Sequence, residues 1–183
     1  MSITLLLTFL LSAGIALVIW LYNRLVRSRN LVSNAWSDID VQLVRRHDLV
    51  PQLVEAVKAY AGYERATLEA VTELRAQSMG AITRPQQAAI EDALSEGVNK
   101  LIVVAEDYPD LKADQNFRDL QNQLTEVENH LQHARRFYNG AVRDHNIRVA
   151  SFPDLVVARL FGFSRAEFFA AEAEARVNVT LGL

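Results

Sequence analysis

Glu126, His130 and His133, with Glu128 close by, are the residues of this chain whose types and spacing best suit chemistry. Steps of four and three bring the first three to one side of a helical turn. Imidazole and carboxylate both ligate first-row divalent metals, so the trio is a candidate metal site. The competing reading is a solvated, mildly charged flank, because His133 follows Gln132 just outside an apolar line. A di-iron bundle would need Glu-x-x-His on two helices, and that motif occurs nowhere in the chain. His-Glu-x-x-His, Gly-x-Ser-x-Gly and glycine-rich phosphate loops are absent as well. With no cysteine there is no thiol nucleophile, thiolate metal site or disulfide. The reading is therefore of a non-enzymatic protein with no catalytic residue and no cofactor, a metal carrier built on Glu126, His130 and His133 being the weakest alternative. The net charge of −3 offers no broad basic surface of the kind that binds nucleic acid.

A second group of polar residues reads as structure. Asp38, Asp40, Arg45 and Arg46 lie about one turn apart, and Arg135, Arg136, Asn139 and Asn146 line a later stretch. Charges beside an apolar seam commonly form cross-helix pairs that set register. Glu64, Arg45, Arg46 and Arg135 are the candidate register residues, with Arg45 or Arg46 as a partner for Glu64. The other reading makes them docking contacts for a partner.

These residues need helices to position them. Strand signals are nearly absent, whereas helical spacing is continuous. Phe117, Leu120, Leu124, Val127, Leu131, Ala134, Tyr138, Ala141 and His145 form an unbroken heptad seam. Ile90, Leu94, Gly97, Leu101 and Val104 mark a shorter helix, capped by Thr83 with Pro85 in its first turn and ended by Tyr108-Pro109. Val32, Trp36, Ile39 and Leu43 mark an earlier helix; Leu53, Val57, Ala61, Leu68 and Val71 mark the one after it. Pro51 either kinks one long helix or separates two, and a turn capped by Asp48 is the favoured reading. The expected fold is all-α: an up-and-down antiparallel four-helix bundle over 23–150, with helices near 24–47, 52–79, 85–107 and 114–149.

Residues 2–22 precede it as a transmembrane anchor. This run carries no charge, and about 20 apolar residues in a helix span roughly 30 Å, the hydrocarbon thickness of a bilayer. A cleaved signal peptide would need a basic residue before the run and a small-residue cleavage site after it. Here the far end holds Trp20 and Tyr22, which suit the headgroup interface, followed by Arg24, Arg27 and Arg29. Positive charge on that side alone places the N-terminus outside and the body in the cytoplasm. Lipids are thus the first expected partner.

The last helix should return to the membrane, so the tail, 151–183, begins close to it. Phe152, Phe161, Phe163, Phe168 and Phe169 crowd into this tail. They either cover the open end of the core or present an apolar surface for lipid or for a second subunit. Gly162 reads as a helix stop, and Ser164 with Glu167 as a capping box opening another short helix.

The segments YNRLVRSRNLVSNAW, SDIDVQLVRRHDLVPQLVEAVKAYAGYE, AEDYPDLKADQNFRDLQNQLTEVEN, RRFYNGAVRDHN and SFPDLVVARLFGF together resemble the LemA family over nearly all of the chain after the anchor. The resemblance implies a single-pass bacterial membrane protein of the inner membrane, a four-helix bundle, no established enzymatic activity, and a loose association with envelope stress and membrane proteases. Val44 stands where the family commonly has a basic residue, and Tyr63 where histidine is expected before Glu64, which counts against a metal there. Two functions follow: a scaffold that self-associates into a homo-oligomer and shapes membrane, or an adaptor presenting the bundle to a membrane protease or other envelope protein.

Overall fold

The computed structural model describes residues 3–60, 65–81 and 83–169. Among these the chain is all-helical, with no strand. Six helices follow in order: α1 (Ile3–Lys58), α2 (Arg65–Met79), α3 (Arg84–Glu106), α4 (Pro109–Ala113), α5 (Gln115–Ala150) and α6 (Asp154–Leu160). They divide into two compact units, Met1–Ser37 with Phe137–Glu167 and Asp38–Arg136 with Phe168–Leu183.

In the larger unit, the buried line of α1 runs Ile39, Leu43, Arg46, Val50, Leu53, Val57, stepping by threes and fours. Its members Val50, Leu53 and Val57 meet Leu68 and Val71 of α2, Leu94, Val98 and Leu101 of α3, and Phe117, Leu120, Leu124 and Val127 of α5 in one core. Each fully buried leucine there contributes about 1.5–3 kcal/mol by leaving water. Gly97 permits a close approach of α3 to α2, since a Cβ at this position would lie 2.8 Å from the Val71 methyl. Thr83 caps α3 by accepting from the Gln86 amide, and Asp114 caps α5 by accepting from the Phe117 amide at 3.1 Å.

The turn favoured at Pro51 does not form: α1 passes through the proline and ends at Lys58. Proline lacks the amide proton that would reach the carbonyl four residues back, which here belongs to His47. Arg75 of α2 fills that vacancy, its Nε donating to the His47 carbonyl at 2.6 Å. Val50 and Leu53, on either side of the proline, stay fully buried, so the helix keeps its register. Arg75→Ala should therefore lower stability by about 1–3 kcal/mol, the cost of an unsatisfied buried carbonyl, as read by the denaturant midpoint. An unmoved midpoint would mean the carbonyl needs no donor from α2.

In the smaller unit, residues 3–20 of α1 are exposed throughout, and this stretch is long and apolar enough to cross a membrane. Beyond it, Leu21 and Leu25 pack with Val149 of α5, Val157 and Ala158 of α6, and Phe163. Helix α6 ends in a glycine stop. Gly162 adopts φ +72°, and the Phe163 amide bonds back to the Ala158 carbonyl at 2.9 Å.

The second short helix expected from Ser164 is absent, and residues 163–168 are irregular. Side chains of α5 take over the backbone groups that a helix would have paired. Tyr138 Oη donates to the Glu167 carbonyl at 2.7 Å, and His145 Nε2 to that of Ser164 at 3.1 Å. Asn146 both donates to the Ala166 carbonyl at 3.0 Å and accepts from its amide at 2.8 Å. Residues 164–167 are strapped along α5.

Candidate functional site

The Glu126, His130 and His133 trio does not converge. Glu126 accepts from Arg45 of α1 at 2.9 Å and lies 3.5 Å from His130 Nε2, while His133 Nδ1 accepts from Arg136 at 2.8 Å. The Arg45 hydrogen bond and charge hold the Glu126 carboxyl below its ordinary range. Among the described residues no group of three His, Asp or Glu side chains is placed to hold a metal ion. Spacing puts the trio on one helix side, but a cation from a neighbouring helix has taken the carboxylate.

Polar chemistry gathers instead around Glu91, which is fully buried on the inner line of α3 (Ala88, Glu91, Leu94, Val98, Leu101). One carboxylate oxygen, Oε1, accepts from His47 Nε2 at 2.7 Å and from the Ser78 hydroxyl at the end of α2. The other, Oε2, accepts from Arg46 at 3.1 Å. The Arg46 fork also donates to Ser95 at 2.7 Å and lies 3.6 Å from Glu128 of α5. Burial works to raise the Glu91 pKa, yet the His47 and Ser78 hydrogen bonds and the Arg46 charge outweigh it and leave it below the ordinary value. Burial lowers that of Arg46. With both oxygens engaged and no exposure, Glu91 has nothing left to offer a substrate. The arrangement is an ionic lock joining α1, α2 and α3.

The direction at Glu91 carries a pH dependence. The unfolded chain protonates this carboxyl near its ordinary value of about 4.3, and the folded chain only lower. The stability it supplies is therefore complete above that value and is lost as pH falls through the folded one. Denaturant midpoints should fall on acidification below about pH 4.5, and Glu91→Gln, which titrates no proton, should flatten that fall. Equal slopes for the two proteins would contradict it.

Arg135, a further register candidate, also pairs across helices. Arg135 of α5 bonds Asp92 of α3 at 2.6 Å and lies 4.7 Å from the Phe169 ring centre. Glu64 lies outside the described residues, and the partner of Arg46 is Glu91. Sequence reasoning missed Glu91, His47 and Ser78. The available signal was the inner line of α3 itself: three residues before Leu94 falls Glu91, whereas the apolar reading had chosen Ile90.

In the smaller unit, Asp154 at the start of α6 is 1% exposed and is gripped by both arms of Arg24, with Nε at 3.0 Å. Arg24 also lies 5.0 Å over the Trp20 ring. Tyr22 meets Phe161 and Phe163 edge-on at 5.0 and 5.6 Å, and Arg29 sits 5.2 Å over Phe163. His145 Nδ1 is 2.9 Å from the Ser28 hydroxyl, and Trp36 packs edge-on against Tyr138. The phenylalanines proposed for contact thus separate. Phe152, Phe161 and Phe168 are exposed, Phe163 packs against the core of this unit, and Phe169 is buried.

One exposed apolar N-terminal helix joined to an all-helical body, whose buried polar residues lock helices together, defines a helical membrane protein. The chain belongs to the LemA family, whose model matches residues 35–181. Protein LemA of Metamycoplasma hominis is 24% identical over 93% of this chain and 80% of its own length. Magnetosome protein MamQ 2 of Paramagnetospirillum magneticum is 24% identical over 86% of this chain and 67% of its own. Magnetosome protein MamQ of Magnetospirillum gryphiswaldense is 21% identical over 87% and 68%. None of these names carries an enzymatic activity.

Proposed function

We propose that this protein is a non-enzymatic scaffold, held in the bacterial inner membrane by α1, that self-associates through its tail. The observation that carries the reading is the outer surface of α6. Phe152, Leu160 and Phe161 are 84, 74 and 51% exposed, with Val156 beside them. They stand on a module held rigid by Arg24, Asp154 and the tail strap. Several large apolar side chains exposed on and beside one ordered helix are the mark of a contact site. With Asp154 buried against Arg24, the outer charges of this segment are Arg159, Arg165 and Glu167, a net of only +1, which suits a second copy of the chain better than a charged lipid surface. In this reading residues 38–58 of α1, α2, α3 and the first half of α5 form an up-and-down four-helix bundle in the cytoplasm, and the N-terminus lies outside. Relatives named for the magnetosome support work within an organised body, and an array of anchored copies would shape or cluster membrane.

The test is the mass of the full-length protein in mild detergent, with and without Phe152→Ser and Leu160→Ser. The scaffold reading expects one large species that the substitutions reduce to a small one. A small species in both would overturn it, leaving the adaptor for a membrane protease or another envelope protein. A reporter fused to the C-terminus and found outside the cell would overturn the orientation.

A further inference from the structure

An open groove of about 410 Å³ lies between α1 and α5 in the smaller unit. That volume falls within the range of roughly 300–1,000 Å³ typical of small-ligand clefts. Trp20, Asn23, Arg24 and Arg27 line it from α1, and Asp144 and Arg148 from α5. Three arginines thus face a single carboxylate. Arg24 is committed to Asp154, and Asp144 to Arg143 at 3.3 Å. Arg27 and Arg148 have no ion pair among the described residues. Two arginines without an ion pair in one cleft, against a single carboxylate already paired elsewhere, make a site for an anion.

Its position says which anion. Trp20 closes the apolar run of α1, so on the membrane reading above, on which this inference rests, the groove opens at headgroup level. The anion abundant at that depth is a lipid phosphodiester, and a guanidinium fork matches its oxygens two at a time. Asp144 repels a second negative charge but accepts from a hydroxyl. We propose that this groove binds the headgroup of an anionic phospholipid of the phosphatidylglycerol type, with Arg27 and Arg148 on the phosphodiester, Asn23 donating beside them and Asp144 toward the headgroup hydroxyls. The α6 surface serves a different contact, and the lipid site stands without it.

The full-length protein is placed in nanodiscs of mixed phosphatidylcholine and phosphatidylglycerol, released into mild detergent, and its retained lipids are counted by native mass spectrometry. Wild type should keep phosphatidylglycerol in preference to phosphatidylcholine. The Arg27→Gln/Arg148→Gln variant should keep about thirtyfold less of it, given the attraction each arginine contributes near an anionic surface. An Arg159→Gln/Arg165→Gln variant removes the same charge outside the groove and should match wild type. Equal retention in all three proteins, or equal losses in both variants, would overturn the site. Displacement of the lipid by millimolar inorganic phosphate would overturn the lipid assignment in favour of a free anion. Wild type failing to enter the nanodisc at all would overturn the anchor reading instead, since every variant keeps the apolar run intact.

Discussion

Glu91→Leu should cost the helical body about 3–5 kcal/mol, the largest single loss expected in this chain. The leucine fits an apolar line, but it strands Arg46, a cation 2% exposed, without its nearest counter-ion. His47 and Ser78 lose their acceptor in the same step. Pairing the change with Arg46→Met should restore most of the loss, because removing both members of a buried pair leaves no orphan charge. Thermal or denaturant unfolding of the two variants against wild type reads the difference. A loss under about 1 kcal/mol for Glu91→Leu would show that Arg46 re-pairs with Glu128, its second carboxylate, and that the lock is not essential.

Arg24→Ala should free the start of α6. Asp154 would be left almost wholly buried with its forked partner gone, at a cost of about 2–4 kcal/mol. That loss falls on a seven-residue helix with little core of its own, so it should appear locally. Hydrogen exchange of amides 154–163 is the readout, and protection should drop there while the Glu91 region keeps its own. Arg24→Lys should lie between, since an ammonium supplies the charge but not the fork. Unchanged protection in Arg24→Ala would mean that the apolar contacts of Leu21, Leu25 and Val157 alone hold the module.

Much of this architecture was legible in the chain because its signal is local and repetitive. The line from Phe117 to His145 alternates threes and fours, and its members from Phe117 to Leu131 and at Tyr138, Ala141 and His145 are buried. The Thr83 cap and the stop at Gly162 are equally local rules. What escaped has its cause in another helix. Pro51 obeys the rule that proline ends a helix until Arg75 arrives from α2. Ser164 and Glu167 spell a capping box, yet Tyr138, His145 and Asn146 of α5 offer the backbone a better set of partners. Glu126 was available to a metal by spacing and unavailable once Arg45 faced it. Glu91 is the extreme case: a charge on an apolar line is read as a break in the line, unless its three partners are already known.

The join between Pro51 and Arg75 bears on the order in which this protein is assembled. A ribosome delivers α1 before α2 exists, so the newly made chain carries a carbonyl at His47 that nothing answers. At that stage residues 47–51 form a natural swivel, and the stretch beyond it is free to pivot. Docking of α2 brings the missing donor and makes the helix continuous through the proline. The stiffness of the longest helix is thus conferred late, by a neighbour, and marks the point at which the body has closed.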